Sequence, residues 1–212
     1  MDSHKPIIII GGGGHASVLA DILRQQNREI LAIVSPDKVD ERAVFTNVKQ
    51  LFSDKDVFKY SIKDILLVNG IGFLPRSTVR AHLTKLYIEN GYKFATVVAE
   101  DAMVSSYATI MQGTQVLSGA RVQAGAVIGE HSIINTAAVV EHDCNIGVNN
   151  HIAPCATLCG QVKTEADVFI GANATIIPNV ELKQGCIVGA GATLTRSLLA
   201  GQTCYPSRSQ IK

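Results

Sequence analysis

The chain has no tryptophan, only six prolines, and no apolar stretch long enough to cross a membrane. Its one aliphatic run near the N-terminus, Ile7–Ile10, is too short for the core of a signal peptide, which points to a cytoplasmic protein. An excess of either charge is also lacking. Lys and Arg number 19 against 18 Asp and Glu, a formal net charge of +1, and the basic residues are scattered. The sequence therefore carries no electrostatic footprint for nucleic acid or an anionic membrane surface. Cys-x-x-Cys pairs are absent among the five cysteines (Cys144, Cys155, Cys159, Cys186, Cys204), which argues against a structural zinc site. What remains, 47% hydrophobic and 17% charged over 212 residues, fits a soluble globular chain of one large or two small domains.

The strongest signal is a period of six. An aliphatic residue recurs from Val104 through Ile110, Val116, Val122, Ile128, Ile134, Val140, Ile146, Ile152 and Leu158, then Ile170, Ile176, Leu182, Val188 and Leu194, with Thr164 as the one break. Four residues after each aliphatic position sits a mostly small one, among them Ala108, Ala120, Ala126, Ala138, Cys144, Ala156, Ala174, Cys186 and Ala192. The small residue lies two before the next aliphatic one, so strand alternation turns both inward. Cys144 and Cys186 thereby read as packing thiols. The fourth residue of each hexad is often Gly, Asn or Asp, as at Gly119, Gly125, Asp143, Asn173 and Gly191. These residue types tolerate the positive φ of a tight corner. A period of six fits neither 3.5 nor 3.6, so a helical reading fails. Each hexad is one short strand plus one corner, and the stack is a parallel β-helix over 101–200, followed by a polar tail at 201–212.

The first 100 residues follow a different grammar. Ile7–Ile10 runs into Gly11-Gly12-Gly13-Gly14-His15-Ala16, followed by Val18, Leu19, Ile22 and Leu23 at helical spacing. This is strand, glycine turn, helix. Further strands are expected at Ile30–Val34, ending in Ser35-Pro36-Asp37, at Ile65–Val68, ending in Asn69-Gly70-Ile71-Gly72, and at Phe94–Val98. A helix with Val79, Leu83, Leu86 and Tyr87 on its buried face is expected between Pro75 and Asn90. The alternation predicts a small Rossmann-like parallel sheet whose ligand crevice lies at the carboxyl ends of the strands. Glycines let a ligand phosphate approach the backbone, and a helix N-terminus attracts it. Asp37 stands about twenty residues beyond the glycine turn, where an acidic residue holds a ribose in dinucleotide folds. The segment is half the usual two-lobed size and suits a mononucleotide better. No linker rich in Pro, Gly or Ser separates the two domains, so they are expected to pack together.

A filled β-helix has no internal pocket, so chemistry must use its outward positions and subunit contacts. His142, flanked by Glu141 and Asp143, falls at a corner, and His151 falls on an outward strand position. Both are expected to be accessible. Histidine can exchange a proton near neutrality, and an adjacent carboxylate fixes its tautomer.

This arrangement resembles the hexapeptide-repeat bacterial sugar acyltransferases, which include sialic-acid O-acetyltransferases and the UDP-amino-sugar N-acetyltransferases that make diacetylbacillosamine. The resemblance rests on the six-residue period, Gly12-Gly13-Gly14-His15, Ser35-Pro36-Asp37, and Val140-Glu141-His142-Asp143 followed by His151 and Gly160. It implies a left-handed β-helix with three hexads per triangular coil. It also implies acetyl-coenzyme A as co-substrate with no metal, and a homotrimer with sites between subunits. His142 is implied as the base and Asp143 as its acid, with Glu141 the alternative. His151 and Gly160 fall to the acetyl donor, and Gly12, Gly13, Gly14, His15, Ser35 and Asp37 to a nucleotide sugar. Nine residues is half of an eighteen-residue coil, so His142 and His151 should lie on different sides of the prism. The expected reaction is acetylation of the amine of a UDP-4-amino-4,6-dideoxy-N-acetyl-hexosamine. O-acetylation of a sialic acid is the nearest alternative. A zinc hydrase of the γ-carbonic-anhydrase type needs three converging histidines, two of them close in sequence, a pattern His131, His142 and His151 lack. A non-catalytic β-helix subunit would have lost its base. The chain departs from the family at Tyr205-Pro206-Ser207, where a Gly-x-Pro-Ala turn is usual, and this leaves contacts to the adenine end unassigned.

Overall fold

A computed structural model of the chain describes residues 5–39 and 41–207. Residues 208–212 of the expected tail lie outside the described residues. The chain forms two compact units, Met1–Val97 and Val98–Lys212.

In the first unit, β1 (Ile7–Ile10), β2 (Ile30–Val34), β3 (Lys49–Leu51) and β4 (Leu66–Asn69) form a parallel sheet in the order β3-β2-β1-β4. All four residues of β1 are buried, as expected of a central parallel strand covered on both faces. Helix α1 (Gly14–Gln25) buries Ala16, Leu19, Ala20, Ile22 and Leu23, while Val18 stays exposed. Each fully buried Leu or Ile contributes about 1.5–3 kcal/mol of transfer free energy.

One strand of this unit went unexpected, and two expectations need correction. Strand β3 has only one buried residue of three, Leu51, so its polar edge gave no periodic signal. The strand expected at Phe94–Val98 is split: Phe94 makes an isolated bridge to Leu67, and Val97–Val98 belongs to a β-helix sheet. Helix α2 (Val79–Glu89) buries Arg80, Thr84 and Tyr87 and exposes Val79. Two of its buried positions are polar because they bond to Asn69 of β4, and so they escaped a search for apolar periodicity.

The second unit is a parallel β-helix with three faces. One face runs from Val97–Val98 through Gln115–Val116, Ile133–Ile134, His151–Ile152, Phe169–Ile170 and Ile187–Val188 to Thr203–Cys204. A second holds six strands from Met103–Val104 to Thr193–Leu194, and a third holds five from Thr109–Ile110 to Glu181–Leu182. Pairing such as Val127↔Asn145 and Asn145↔Lys163 sets the coil at eighteen residues. The strand Thr203–Cys204 pairs with Ile187–Val188, so ordered coil continues into the segment expected as tail.

The aliphatic and small series meet inside as one core, from Val116 and Ala120 to Ala192 and Leu194, with Cys144 and Cys186 buried within it. Every sixth residue from Gly113 to Gly191 has positive φ, including His131 (59°), Ala137 (54°) and Cys155 (59°). The corner conformation is thus imposed by the coil, and Gly, Asn and Asp are the types that adopt it at least cost.

The break at Thr164 has a partner. Asn150 occupies a small-series position and is fully buried. Its amide donates to Thr164 Oγ1 at 2.7 Å and to the Glu165 carbonyl at 3.0 Å, and its oxygen accepts from the Val168 amide. Ser132, one coil earlier, accepts from the Asn150 amide at 2.9 Å and donates to the Gly147 carbonyl at 2.8 Å. A buried amide needs such partners, so the hydroxyl at Thr164 replaces an aliphatic side chain where Asn150 requires it.

Candidate active site

The carboxyl edge of the parallel sheet is shaped by close backbone approach. Gly11 has φ +97°, and a Cβ there would lie 2.5 Å from Ile71 Cδ1. A Cβ on Gly12 would collide with Val39 and lie 2.9 Å from Ser35 Oγ, and one on Gly70 would lie 2.7 Å from Ala16 Cβ. Packing alone therefore requires glycine at 11, 12 and 70. Gly13 and Gly14 differ, since nothing lies within 4 Å of a Cβ at either. Gly13 caps α1 with no side-chain hydrogen bond, and no acidic residue stands in the first turn. The opening amides of α1 are thus positioned to receive an anion.

The structure brings Ser35 against Gly12 and leaves Asp37 exposed at the same edge, with His15 in the first turn of α1. Sequence reasoning missed what holds these groups. The Gln50 amide donates to the Ser35 carbonyl at 2.9 Å and to the Asp37 carbonyl at 2.7 Å, pinning the loop after β2. Arg80, only 2% exposed, donates to the Asn69 and Ile71 carbonyls at 3.0 and 2.6 Å and so fixes the loop beside Gly11. Burial pushes the Arg80 guanidinium down to about 9, still charged at neutral pH. Arg42 reaches Ser17 Oγ at 3.3 Å, which brings a cation beside the start of α1. Arg80 shares helical spacing with Thr84 and Tyr87, which is the one trace of it in the sequence; Gln50 leaves none.

On the β-helix, His142 and Asp143 occupy a corner between the second and third faces. Asp143 has φ 58°, and its amide bonds to the Ala124 carbonyl one coil back at 3.1 Å. His142 Nδ1 lies 2.9 Å from Asp143 Oδ2, with both side chains more than half exposed. Facing a carboxylate, Nδ1 carries the proton, which leaves the Nε2 lone pair to accept one. Asp143, and not Glu141, is the acid in contact. Burial pushes the nearby Cys144 thiol up to about 11, with the Glu141 charge a lesser contributor in the same direction. That buried thiol is no nucleophile at neutral pH.

The expectation that His151 is accessible fails. His151 has outward register, between Ile133 and Phe169, yet is only 8% exposed. The Phe169 ring meets it edge-on at 5.2 Å, and Asn135 Nδ2 lies 2.9 Å from its Nε2. A neighbouring aromatic one coil on covers what the hexad count turns outward. His142 and His151 do lie apart, at a corner bordering the second and third faces and on the first face respectively. A surface concavity of about 470 Å³ lies at the last coil against Arg196, Ser197, Gln202 and Tyr205, and neither histidine lines it.

Residues 6–83 match the PglD N-terminal domain, and residues 161–196 match the bacterial transferase hexapeptide with six repeats. The crystal structure of PerB from Caulobacter crescentus, solved with CoA and GDP-perosamine, is 30% identical over 95% of this chain and 91% of its own, with a TM-score of 0.81. The chain belongs to the hexapeptide-repeat sugar acyltransferases. As an acyltransferase of this family its β-helix is left-handed. The acetyltransferase domain of PglB from Neisseria gonorrhoeae FA1090, solved with acetyl coenzyme A, is 26% identical over 98% of this chain and all of its own, with a TM-score of 0.83. A mutant of perosamine N-acetyltransferase from C. crescentus, also with CoA and GDP-perosamine, is 29% identical over 98% of this acyltransferase and 96% of its own chain, with a TM-score of 0.85. Among the described residues, no helix is long and apolar enough to cross a membrane, and no three His, Cys, Asp or Glu side chains gather as a metal site.

Proposed function

We propose that this acyltransferase moves the acetyl group of acetyl-CoA directly to the amine of a nucleotide-linked amino sugar, with His142 as the base. The acceptor class is a UDP-4-amino-4,6-dideoxy-N-acetyl-hexosamine. The observation that carries the reading is the His142–Asp143 pair, which presents an acceptor nitrogen at an exposed corner of the coil. Relatives of nearly the same length were solved with CoA and GDP-perosamine or with acetyl coenzyme A, which supports both the donor and the kind of acceptor.

The amine nitrogen attacks the thioester carbonyl while Nε2 of His142 takes its proton; the carbon–sulfur bond then breaks, and the departing thiolate takes that proton back from the imidazolium to leave as the coenzyme thiol. Asp143 holds the ring and stabilises the imidazolium. The Gly160 amide is assigned to the carbonyl oxygen. His151, held by Asn135 and Phe169, serves as a fixed wall toward the donor and not as a proton carrier. Gly12, Gly13, Gly14 and His15 receive the diphosphate at the start of α1, with Ser35 and Asp37 toward the ribose or base. The two histidines lie on different sides of one coil, so a site using both takes them from adjacent subunits of a homotrimer. The protein acts in the cytoplasm, where the coenzyme and nucleotide sugars are made.

The deciding experiment is thiol release from acetyl-CoA with a panel of UDP- and GDP-linked amino sugars, alongside free sialic acid. Turnover with a UDP-amino sugar supports the reading, turnover with a GDP-amino sugar moves the nucleotide, and turnover with sialic acid alone replaces it with O-acetylation.

A further inference from the structure

The dyad is flanked by glycine one coil away in each direction. Gly160 follows His142 by eighteen residues, and Gly125 precedes Asp143 by eighteen. A Cβ on Gly160 would lie 2.5 Å from His142 Nε2 and 2.6 Å from Cε1. A Cβ on Gly125 would collide with Asp143 Oδ1. Side chains at both positions would thus enter the volume now held by the imidazole and the carboxylate.

The two glycines have different backbone reasons. Gly125 sits at φ +76°, where glycine is favoured anyway. Gly160 is not among the positive-φ residues, so its backbone admits any L-residue, and the collision is with the His142 ring. Crowding recurs at other glycines of the coil, but against other groups: a Cβ at Gly129, Gly147 or Gly171 would collide with the backbone of a neighbouring coil. One at the Gly185 or Gly191 corner meets nothing within 4 Å, and one at Gly119 meets Ala137 at an ordinary 3.9 Å, so at Gly160 and Gly125 alone among these the obstacle is a side chain of the dyad. A solvent-exposed hydrogen bond such as His142–Asp143 contributes only modestly to holding its partners. A ring whose side chain is 59% exposed needs another restraint to stay in one orientation.

We infer that Gly160 and Gly125 are positioning residues whose missing side chains form the seat of the His142–Asp143 dyad and so fix where Nε2 points. The inference rests on His142 being the base. It assigns Gly160 a role separate from its amide, because alanine at that position keeps the N–H and removes the room.

The test uses the full chain with acetyl-CoA and whichever nucleotide amino sugar the panel selects. Gly160→Ala is expected to lower kcat about 10- to 100-fold, the scale of a misplacement near 1 Å, with the KM for acetyl-CoA and the melting temperature unchanged. Its crystal structure should show the imidazole moved off Asp143. Gly125→Ala is compared with Gly119→Ala, which carries the same corner strain without touching the dyad; only the former should lose turnover. Wild-type turnover in Gly160→Ala with the imidazole in place overturns the inference alone. A displaced imidazole with unchanged turnover overturns the inference together with the base, which His142→Ala checks independently.

Discussion

The two units hold their loops by opposite means. In the β-helix the corners are held by main-chain bonds to the neighbouring coil, as with Asp143 to Ala124, Gln161 to His142 and Asn179 to Gly160, and each repeats six residues on. In the α/β unit the loops, those at the ligand edge among them, are held by side chains from other elements. Gln50 binds Ser35 and Asp37, Arg80 binds Asn69 and Ile71, and Arg24 binds the Val44 and Thr46 carbonyls. A backbone device tolerates many side chains, whereas a side-chain device depends on one residue.

The sharpest way to break this contrast is Arg80→Leu, which strands two carbonyls in a buried setting. It is expected to destabilise the α/β unit by about 2–4 kcal/mol, the scale for leaving two buried acceptors unpaired. Tyrosine absorbance during denaturant unfolding reads it, because Tyr87 and Tyr92 are buried in this unit while Tyr107 and Tyr205 of the β-helix are exposed. A loss below about 1 kcal/mol, the worth of an ordinary hydrogen bond, would show that the loop holds itself.

For the chemistry on the β-helix, His142→Ala should lower kcat by about two orders of magnitude while acetyl-CoA binding by calorimetry stays intact. Asp143→Asn keeps a residue suited to positive φ and removes the charge, so it should lower kcat at unchanged stability. If Asp143→Asn matches wild type, Asp143 serves the corner alone.

Inside the β-helix, Asn150→Ala leaves the Thr164 hydroxyl and Val168 amide without their partner and should cost about 2 kcal/mol. Adding Thr164→Leu restores the apolar series and should recover at least half of that loss. Additive losses in this cycle would separate the two breaks.

The smallest effect is with pH. Burial raises the folded Cys144 thiol above its unfolded value, so its contribution is complete below pH 9.0 and is lost as pH rises toward about 11. Cys144→Ala should melt with a shallower decline across that window, and equal slopes would show that the thiol titrates as if unfolded.

The same contrast decides what was legible. The period from Val104 to Leu194 reveals the coil because inward side chains, corners and register all obey one count. It also separates His142 from the core. It misplaces His151, because the count gives direction and not cover, and the covering Phe169 is one coil away. The α/β unit yields its glycine turn and apolar strands, but Gln50, Arg80 and the three-residue β3 act through contacts without a local pattern. The nearness of Gly160 to the His142 ring is likewise a matter of stacking, which becomes visible only once the coil length is known.

The eighteen-residue coil also restricts how such a chain can change in length. Deleting one hexad after His142 would turn every later strand onto the next face, and Gly160 would no longer lie above the imidazole. Deleting a full coil beyond the dyad preserves each later residue's face and shortens the prism by one rung. Insertions and deletions in this half of the molecule should therefore survive in multiples of eighteen, while the loops of the α/β unit can lengthen one residue at a time.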